Sequence, residues 1–172
     1  ILVYNGEIYN YEELKRELLD NNIVLKTRSD TELLIELLIF KKQKILEKIN
    51  GMFSFFFYDT LKRDWIAARD HFGIKPFYYI KTFDKFIFSS EIKSLLQYPN
   101  FKKKIDNSSL SEYLTFQYTL DEKTLYKNVF KIEPGHVIIG NQEKILKKYK
   151  YWKQFDKFKI YKNKTNYNEE LK

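Results

Sequence analysis

The stretch "VYNGEIYNYEEL" (3–14) sets Asn5, Gly6 and Glu7 side by side at the end of an apolar run. It presents a side-chain amide and an unshielded backbone N–H, both hydrogen-bond donors, next to a carboxylate. A second carboxylate, Asp30 in "RSDTELL", falls in the first turn of a predicted helix. A third cluster, "ARDHFGIKPFYY" (68–79), places Arg69, Asp70, Gly73, Lys75 and Pro76 in a tight loop, with "FIFSSEIKSLL" close behind. Such groups hold a polar ligand. The chain has no cysteine, which removes a thiol nucleophile, thiolate metal ligands and disulfides from these residues. Its two histidines, His71 and His136, lie far apart in sequence, so no metal site is expected.

Taken singly, each signal has an ordinary structural reading. Asn-Gly is the commonest short turn signal, and a first-turn aspartate complements the helix dipole. Glu7 alone reads as a solvated carboxylate, and Arg69 with Asp70 as a structural ion pair. Their chemistry depends on the elements that position them.

Residues 1–4 read as a buried strand ending at the Asn5-Gly6 turn. Leu14, Leu18 and Leu19 recur at helical spacing over 9–21, with Asn10 as its N-cap, and "IVLKT" (23–27) returns as a short strand. "SDTELLIELLIFKK" (29–42) predicts a helix, with Ser29 and Glu32 in capping-box spacing. After Asn50-Gly51 the pattern turns to β: "MFSFFFYD", "DWIAARD", "FYYI" and "KFIFSS" predict an antiparallel meander. Two helices follow, over 91–98 and 108–117 with Ser108 as cap, and then the strand "HVIIG" (136–140). From Lys147 periodicity is lost. The order implies an α+β domain with helices packed on sheets.

Composition narrows the classes. A chain of 172 residues that is 44% hydrophobic suits one folded domain, and no apolar run approaches the ~20 residues that span a bilayer. The net charge of +8 invites a nucleic-acid reading, but the excess is lysine in solvated runs such as "FKKQK" and "FKKK". Arginine, the bidentate reader of phosphate and guanine, occurs only at 16, 28, 63 and 69. Neither nucleic acid nor membrane is expected as a partner.

In this order the segments resemble the N-terminal glutamine amidotransferase domain of the glutamine-hydrolysing asparagine synthetases. The agreement is co-linear from "VYNGEIYNYEEL" through "SDTE", "NGMFSFFFYD", "ARDHFGIKPFYY" and "SSEIKSLL" to "LSEYLTFQY" and "KIEPGH". The resemblance implies a class II amidotransferase: an N-terminal nucleophile hydrolase in which two antiparallel sheets lie between helical layers. There a cysteine at the mature N-terminus attacks the side-chain amide of glutamine, with its own α-amino group as base. The resemblance assigns Asn5 and Gly6 to the oxyanion hole. It assigns Glu7 and Asp30, beside them, to glutamine binding, the two carboxylates holding the α-amino group. The loop 69–76 matches a family signature, expected to shape the core and the face towards the synthetase domain with no chemical step.

The resemblance also sets expectations for what lies outside these residues. The nucleophile and an arginine for the glutamine carboxylate are expected upstream of Ile1, and an ATP-binding pyrophosphatase loop beyond Lys172. The chain then reads as a fragment, inactive alone and with an incomplete sandwich. Residues 1–150 form the amidotransferase domain without its nucleophile strands, and 151–172 a linker and the start of the synthetase domain. The parent would convert aspartate to asparagine in the cytoplasm, as a homodimer. Its partners would be L-glutamine, L-aspartate and ATP, with ATP and Mg2+ in the synthetase domain and no cofactor in these residues. Two other readings stand beside it: a related amidotransferase acting on a cell-surface sugar or peptide, and a decayed, non-enzymatic gene product.

Overall fold

A computed structural model describes residues 1–82 and 85–153. A five-stranded antiparallel sheet has the order β1-β2-β3-β7-β8, formed by Leu2–Ile8, Gly51–Asp59, Asp64–Arg69, His136–Asn141 and Ile145–Lys150. A second, three-stranded sheet has the order β5-β4-β6, formed by Phe86–Ser89, Tyr78–Lys81 and Phe130–Lys131. Helices α1 (Tyr11–Leu19) and α2 (Asp30–Lys41), with the 3-10 turn Lys42–Glu47, cover one face of the larger sheet. Helices α3 (Ile92–Leu95) and α4 (Asn107–Phe116) belong to the side of the smaller sheet and the loops after it.

Strand β2 shows why these layers form. Its side chains alternate, so Phe53, Phe55 and Phe57 enter one core while Phe56 and Tyr58 enter another. The first core meets Leu14 and Leu18 of α1 and Leu33, Leu34, Leu37 and Leu38 of α2, each set at helical spacing. The second meets Phe77, just before β4, and Tyr79, Phe86 and Phe88 of the small sheet, with Phe56 stacked on Phe88 at 4.4 Å between centroids. A strand covered on both faces needs a nearly continuous aromatic run, and "FSFFFY" supplies one.

Several expectations are corrected. Strand β1 does not stop at Asn5-Gly6 but runs to Ile8, because pairing with β2 continues through Ile8 opposite Gly51. Residues 23–27 form no strand. The four aromatic runs divide between sheets, β2 and β3 in one and β4 and β5 in the other, so they are two hairpins and not one meander. The helix over 91–98 shrinks to four residues, and α4 is capped by Asp106, whose Oδ1 accepts from Ser109 N at 3.0 Å, instead of by Ser108. Strand β8 extends to Lys150 past the loss of periodicity at Lys147, as an edge strand whose lysines need not alternate. The expected linker and synthetase start fall mostly on 154–172, outside the described residues.

Candidate active site

Ile1 exchanges both backbone hydrogen bonds with Tyr58, at 2.9 and 2.8 Å, and Tyr9 N–H donates to Asn50 O at 2.8 Å. Odd-numbered residues of β1 therefore face β2, and even-numbered ones turn their N–H and C=O groups to the opposite edge. No strand pairs with that edge among the described residues. Ile8 obeys this parity: its outward N–H donates to Asp30 Oδ2 at 2.8 Å. Gly6, two residues back, turns its N–H to the same edge.

The side chains follow a second parity. Leu2, Tyr4 and Ile8 pack on the helical side, so Val3, Asn5 and Glu7 project from the other face. Asn5 lines a cavity of about 310 Å³ with Ser54, Phe77, Phe88, Ser89 and Ser90. Its side-chain amide makes no hydrogen bond among the described residues. The open edge at Gly6 is thus flanked by the Asn5 amide on one side and by Asp30, from the helical layer, on the other. Glu7 is exposed on the Asn5 face, so the two carboxylates approach the edge from opposite sides.

Glycine is required here by space. A Cβ on Gly6 would stand 2.3 Å from Met52 O and 2.7 Å from Phe53 Cα, and one on Gly51 would stand 2.3 Å from Glu7 O. The two strands pass too closely for any side chain at these positions.

Asp30 owes its position to contacts that the sequence reading assigned differently. Ser29 Oγ caps α2 by accepting from Thr31 N at 3.1 Å. Glu32 does not complete a capping box: its carboxylate reaches back to accept from Lys26 N at 2.8 Å and Thr27 N at 2.6 Å, and from the Thr27 hydroxyl. Those bonds and the cation of Lys26 hold the Glu32 carboxyl below its ordinary value, the Thr27 hydroxyl contributing most. Ser29 N in turn donates to Thr27 Oγ1 at 3.2 Å, which fixes the approach to Asp30. Asn10 makes no side-chain cap on α1; it donates to Lys48 O and accepts from Asn50 N at 2.9 Å, which pins the end of β1 to the start of β2. Tyr4 was not foreseen at all. Its hydroxyl is buried without a hydrogen-bond partner among the described residues, and burial, then the charges of Asp30 and Glu7, push its pKa up.

Arg69 and Asp70 do not act as an ion pair. Arg69 donates to the carbonyls of Lys75, Ile132 and Gly73 at 2.7, 2.8 and 2.6 Å. Asp70 is wholly buried and accepts from the backbone N–H groups of Phe53, Phe72, Ile74 and Lys75. Together they shape the crossover from β3 to the small sheet, in which Phe77, just before β4, walls the cavity beside Asn5. Among the described residues no group of three or more His, Cys, Asp and Glu could hold a metal ion, and no helix is long and apolar enough to cross a membrane.

The class this chain falls in is that of the glutamine amidotransferases. Residues 1–152 match the family described as glutamine amidotransferase domain, and the chain belongs to it. Among curated proteins it is 34% identical over 152 residues to asparagine synthetase [glutamine-hydrolyzing] 3 of Bacillus subtilis, covering 88% of this chain and 25% of that protein. It is 36% identical over 167 residues to putative asparagine synthetase [glutamine-hydrolyzing] 2 of Methanocaldococcus jannaschii, covering 95% of this chain and 32% of that protein. The chain therefore spans about a quarter to a third of the length of these two relatives. Among solved structures, glutamine phosphoribosylpyrophosphate amidotransferase of B. subtilis superposes with a TM-score of 0.59 at 22% identity, over 88% of this chain and 29% of that one. That likeness speaks for the fold alone: an α+β arrangement of antiparallel sheets packed with helices.

Proposed function

We propose that these residues form the glutaminase unit of a glutamine-hydrolysing asparagine synthetase. The observation that carries the reading is one strand edge: Gly6 turns its N–H to it, Asp30 meets it, and the Asn5 amide flanks it. Gly6 and Ile8 are two residues apart, about 7 Å along the strand. That spacing suits a ligand with an acceptor oxygen at one end and a cation at the other, as in glutamine.

In this reading the glutamine side-chain carbonyl lies at Asn5 and Gly6. A thiolate adds to the amide carbon, and the electron pair of the C=O bond moves to oxygen. Asn5 Nδ2 and Gly6 N donate to that oxyanion, whose charge is largest in the transition state. The C–N bond then breaks with a proton delivered to nitrogen, ammonia leaves, and water hydrolyses the thioester to glutamate. The chain holds no cysteine, so the thiol comes from outside these 172 residues. Asp30 keeps Oδ2 on Ile8 N–H and offers Oδ1 to the α-ammonium, with Glu7 reaching in from the opposite face. Two carboxylates distinguish glutamine from amides without an ammonium.

The released ammonia would amidate aspartate in the synthetase half, where ATP and Mg2+ act, in a cytoplasmic homodimer. The test is a longer enzyme carrying residues 1–172, given glutamine, aspartate and ATP. Stoichiometric glutamate and asparagine are expected. Glutamate formed without asparagine, but with an amidated sugar or peptide, would transfer the reading to a related amidotransferase.

A further inference from the structure

The space between the two sheets stays open at the end away from Asn5. There the ends of β2, β4 and β7 and the starts of β3, β5 and β8 bound a recess of about 190 Å³. Its floor is aromatic. Phe56 and Trp65 stack at 5.4 Å between centroids with planes 29° apart, and Trp65 and Phe86 at 4.7 Å and 27°. Phe56 and Phe86 are only half-buried, although both lie between the sheets. The Trp65 indole N–H already donates to Asn141 O at 2.9 Å, so that ring adds apolar surface and no free donor.

The rim is cationic. Along β4, Tyr79 faces the large sheet while Tyr78 and Ile80 face the cluster around α3, so alternation turns Lys81 to the large sheet as well. It pairs in register with Phe86 and lines the recess. A lysine on the core side of a strand ordinarily needs an acidic partner, yet Lys81 makes no ion pair among the described residues. Lys144 reaches the same recess from the large sheet. An Asx turn places it, Asn141 Oδ1 accepting from the N–H groups of Glu143 and Lys144 at 3.0 Å. It too makes no ion pair among the described residues. Lys85 also lines the recess but donates to the Tyr98 hydroxyl at 3.4 Å, and Glu143 is the only carboxylate among the described lining residues.

These features select one ligand chemistry. The stacked floor favours a flat ring, and the two lysines favour an acidic group on it. Drug-sized ligands fill pockets of about 300–1000 Å³, so this smaller recess suits one ring or a fused pair and not a nucleotide. We propose that the recess is a binding site for a small aromatic carboxylate, its ring on the Phe56–Trp65–Phe86 stack and its carboxylate at the rim with Lys81 and Lys144. The inference stands apart from the glutaminase reading, because none of these residues borders the edge at Gly6.

Titration calorimetry of a longer enzyme carrying residues 1–172, with phenylacetate as the probe, tests this. Phenylacetate should bind once per chain, with a dissociation constant on the order of 1 mM or tighter. Phenylacetamide, which keeps the ring and loses the charge, should bind about tenfold or more weakly. Cyclohexylacetate, which keeps the charge and loses the flat ring, should bind about threefold or more weakly. Lys81→Met combined with Lys144→Met should reduce phenylacetate to the level of phenylacetamide, with thermal unfolding and glutaminase activity unchanged. Absence of saturable phenylacetate binding would overturn the proposal. So would cyclohexylacetate binding as tightly as phenylacetate, or a double variant that keeps the wild-type preference, because the ligand would then lie elsewhere. Calorimetry needs no turnover, so an enzyme that binds phenylacetate in this way but hydrolyses no glutamine would keep the site and remove only the glutaminase reading.

Discussion

Asn5→Ala separates catalysis from folding more cleanly than any other change at this site. The Asn5 side chain is exposed, has no hydrogen bond among the described residues, and borders open cavity space. Its truncation orphans no partner and opens no core void, so stability should move by no more than about 0.5 kcal/mol. In the proposed transition state the same truncation removes one of two oxyanion donors, which costs roughly 2.7–4 kcal/mol, or about 100- to 1000-fold in kcat. Bound glutamine carries a neutral carbonyl there, so the ground-state loss is that of one ordinary hydrogen bond, about 0.5–1.5 kcal/mol, and KM rises much less than kcat falls. Gly6→Ala cannot serve, because its methyl group would meet Met52 O at 2.3 Å and force β1 from β2. The assay uses a longer enzyme carrying these residues, with glutamine or ammonium chloride as nitrogen source, beside thermal unfolding of wild type and variant. Ammonia-driven synthesis should be untouched. A folded variant that keeps kcat within about fivefold, where loss of an oxyanion donor predicts at least about 100-fold, would remove Asn5 from the oxyanion hole. One that loses ammonia-driven synthesis would show that Asn5 is not confined to the glutaminase site.

Asp30→Asn keeps an oxygen for Ile8 N–H but loses the charge, so KM for glutamine should rise about 10- to 150-fold with little change in kcat; an unchanged KM in steady-state kinetics would refute the ammonium role. Asp70→Ala leaves the N–H groups of Phe53, Phe72, Ile74 and Lys75 without their buried acceptor and should cost at least about 3 kcal/mol in urea unfolding, whereas a loss below about 1 kcal/mol would mean those groups find other partners. The Glu32 clamp has a folded pKa below the ordinary 4.5, so its contribution is present above that value and is lost as pH falls through the lower, folded one. Lys26 and Thr27 amide protection, followed by NMR from neutral pH downwards, should hold to below 4.5 and then collapse, and Glu32→Gln should remove this pH dependence.

Much of the fold was legible because period dominates it. The two-residue alternation of "FSFFFY" and the helical spacing of Leu14/Leu18 and Leu33/Leu37 each specify a buried face, and every one of those faces is buried. The errors cluster where local chemistry competes with pairing at long range. Asn-Gly favours a turn in isolation, but seven consecutive residue pairs between β1 and β2 outweigh that preference. Ser29 and Glu32 have capping-box spacing, yet the carboxylate finds two N–H groups and a hydroxyl in the preceding loop, which are more donors than a box provides. Strand β6, two residues long, carries no pattern at all to read.

The proposed site could be named from the sequence as a set of residues but not as an arrangement, and the reason lies in the parity of one strand. Had β1 ended at Asn5-Gly6, the glycine would have been explained by turn geometry and its N–H would have had no fixed direction. Because β1 continues to Ile8, alternation alone sends the Gly6 N–H to the free edge and the Asn5 side chain to the adjoining face. Shifting the pairing by one residue would turn the Gly6 N–H towards β2 and the Asn5 side chain into the helical core. In the proposed site register is therefore part of the chemistry, and what fixes it stands away from the open edge. Gly51 lets Ile8 approach, Asn10 ties Lys48 and Asn50, and Asp70 holds Phe53 N–H at 3.2 Å, opposite Gly6. That gives the loop 69–76 a share in the site without contact with the substrate. In the proposed site it acts on the oxyanion donors through the strand that sets their direction, so that a loop assigned no chemical step would still bear on the chemistry.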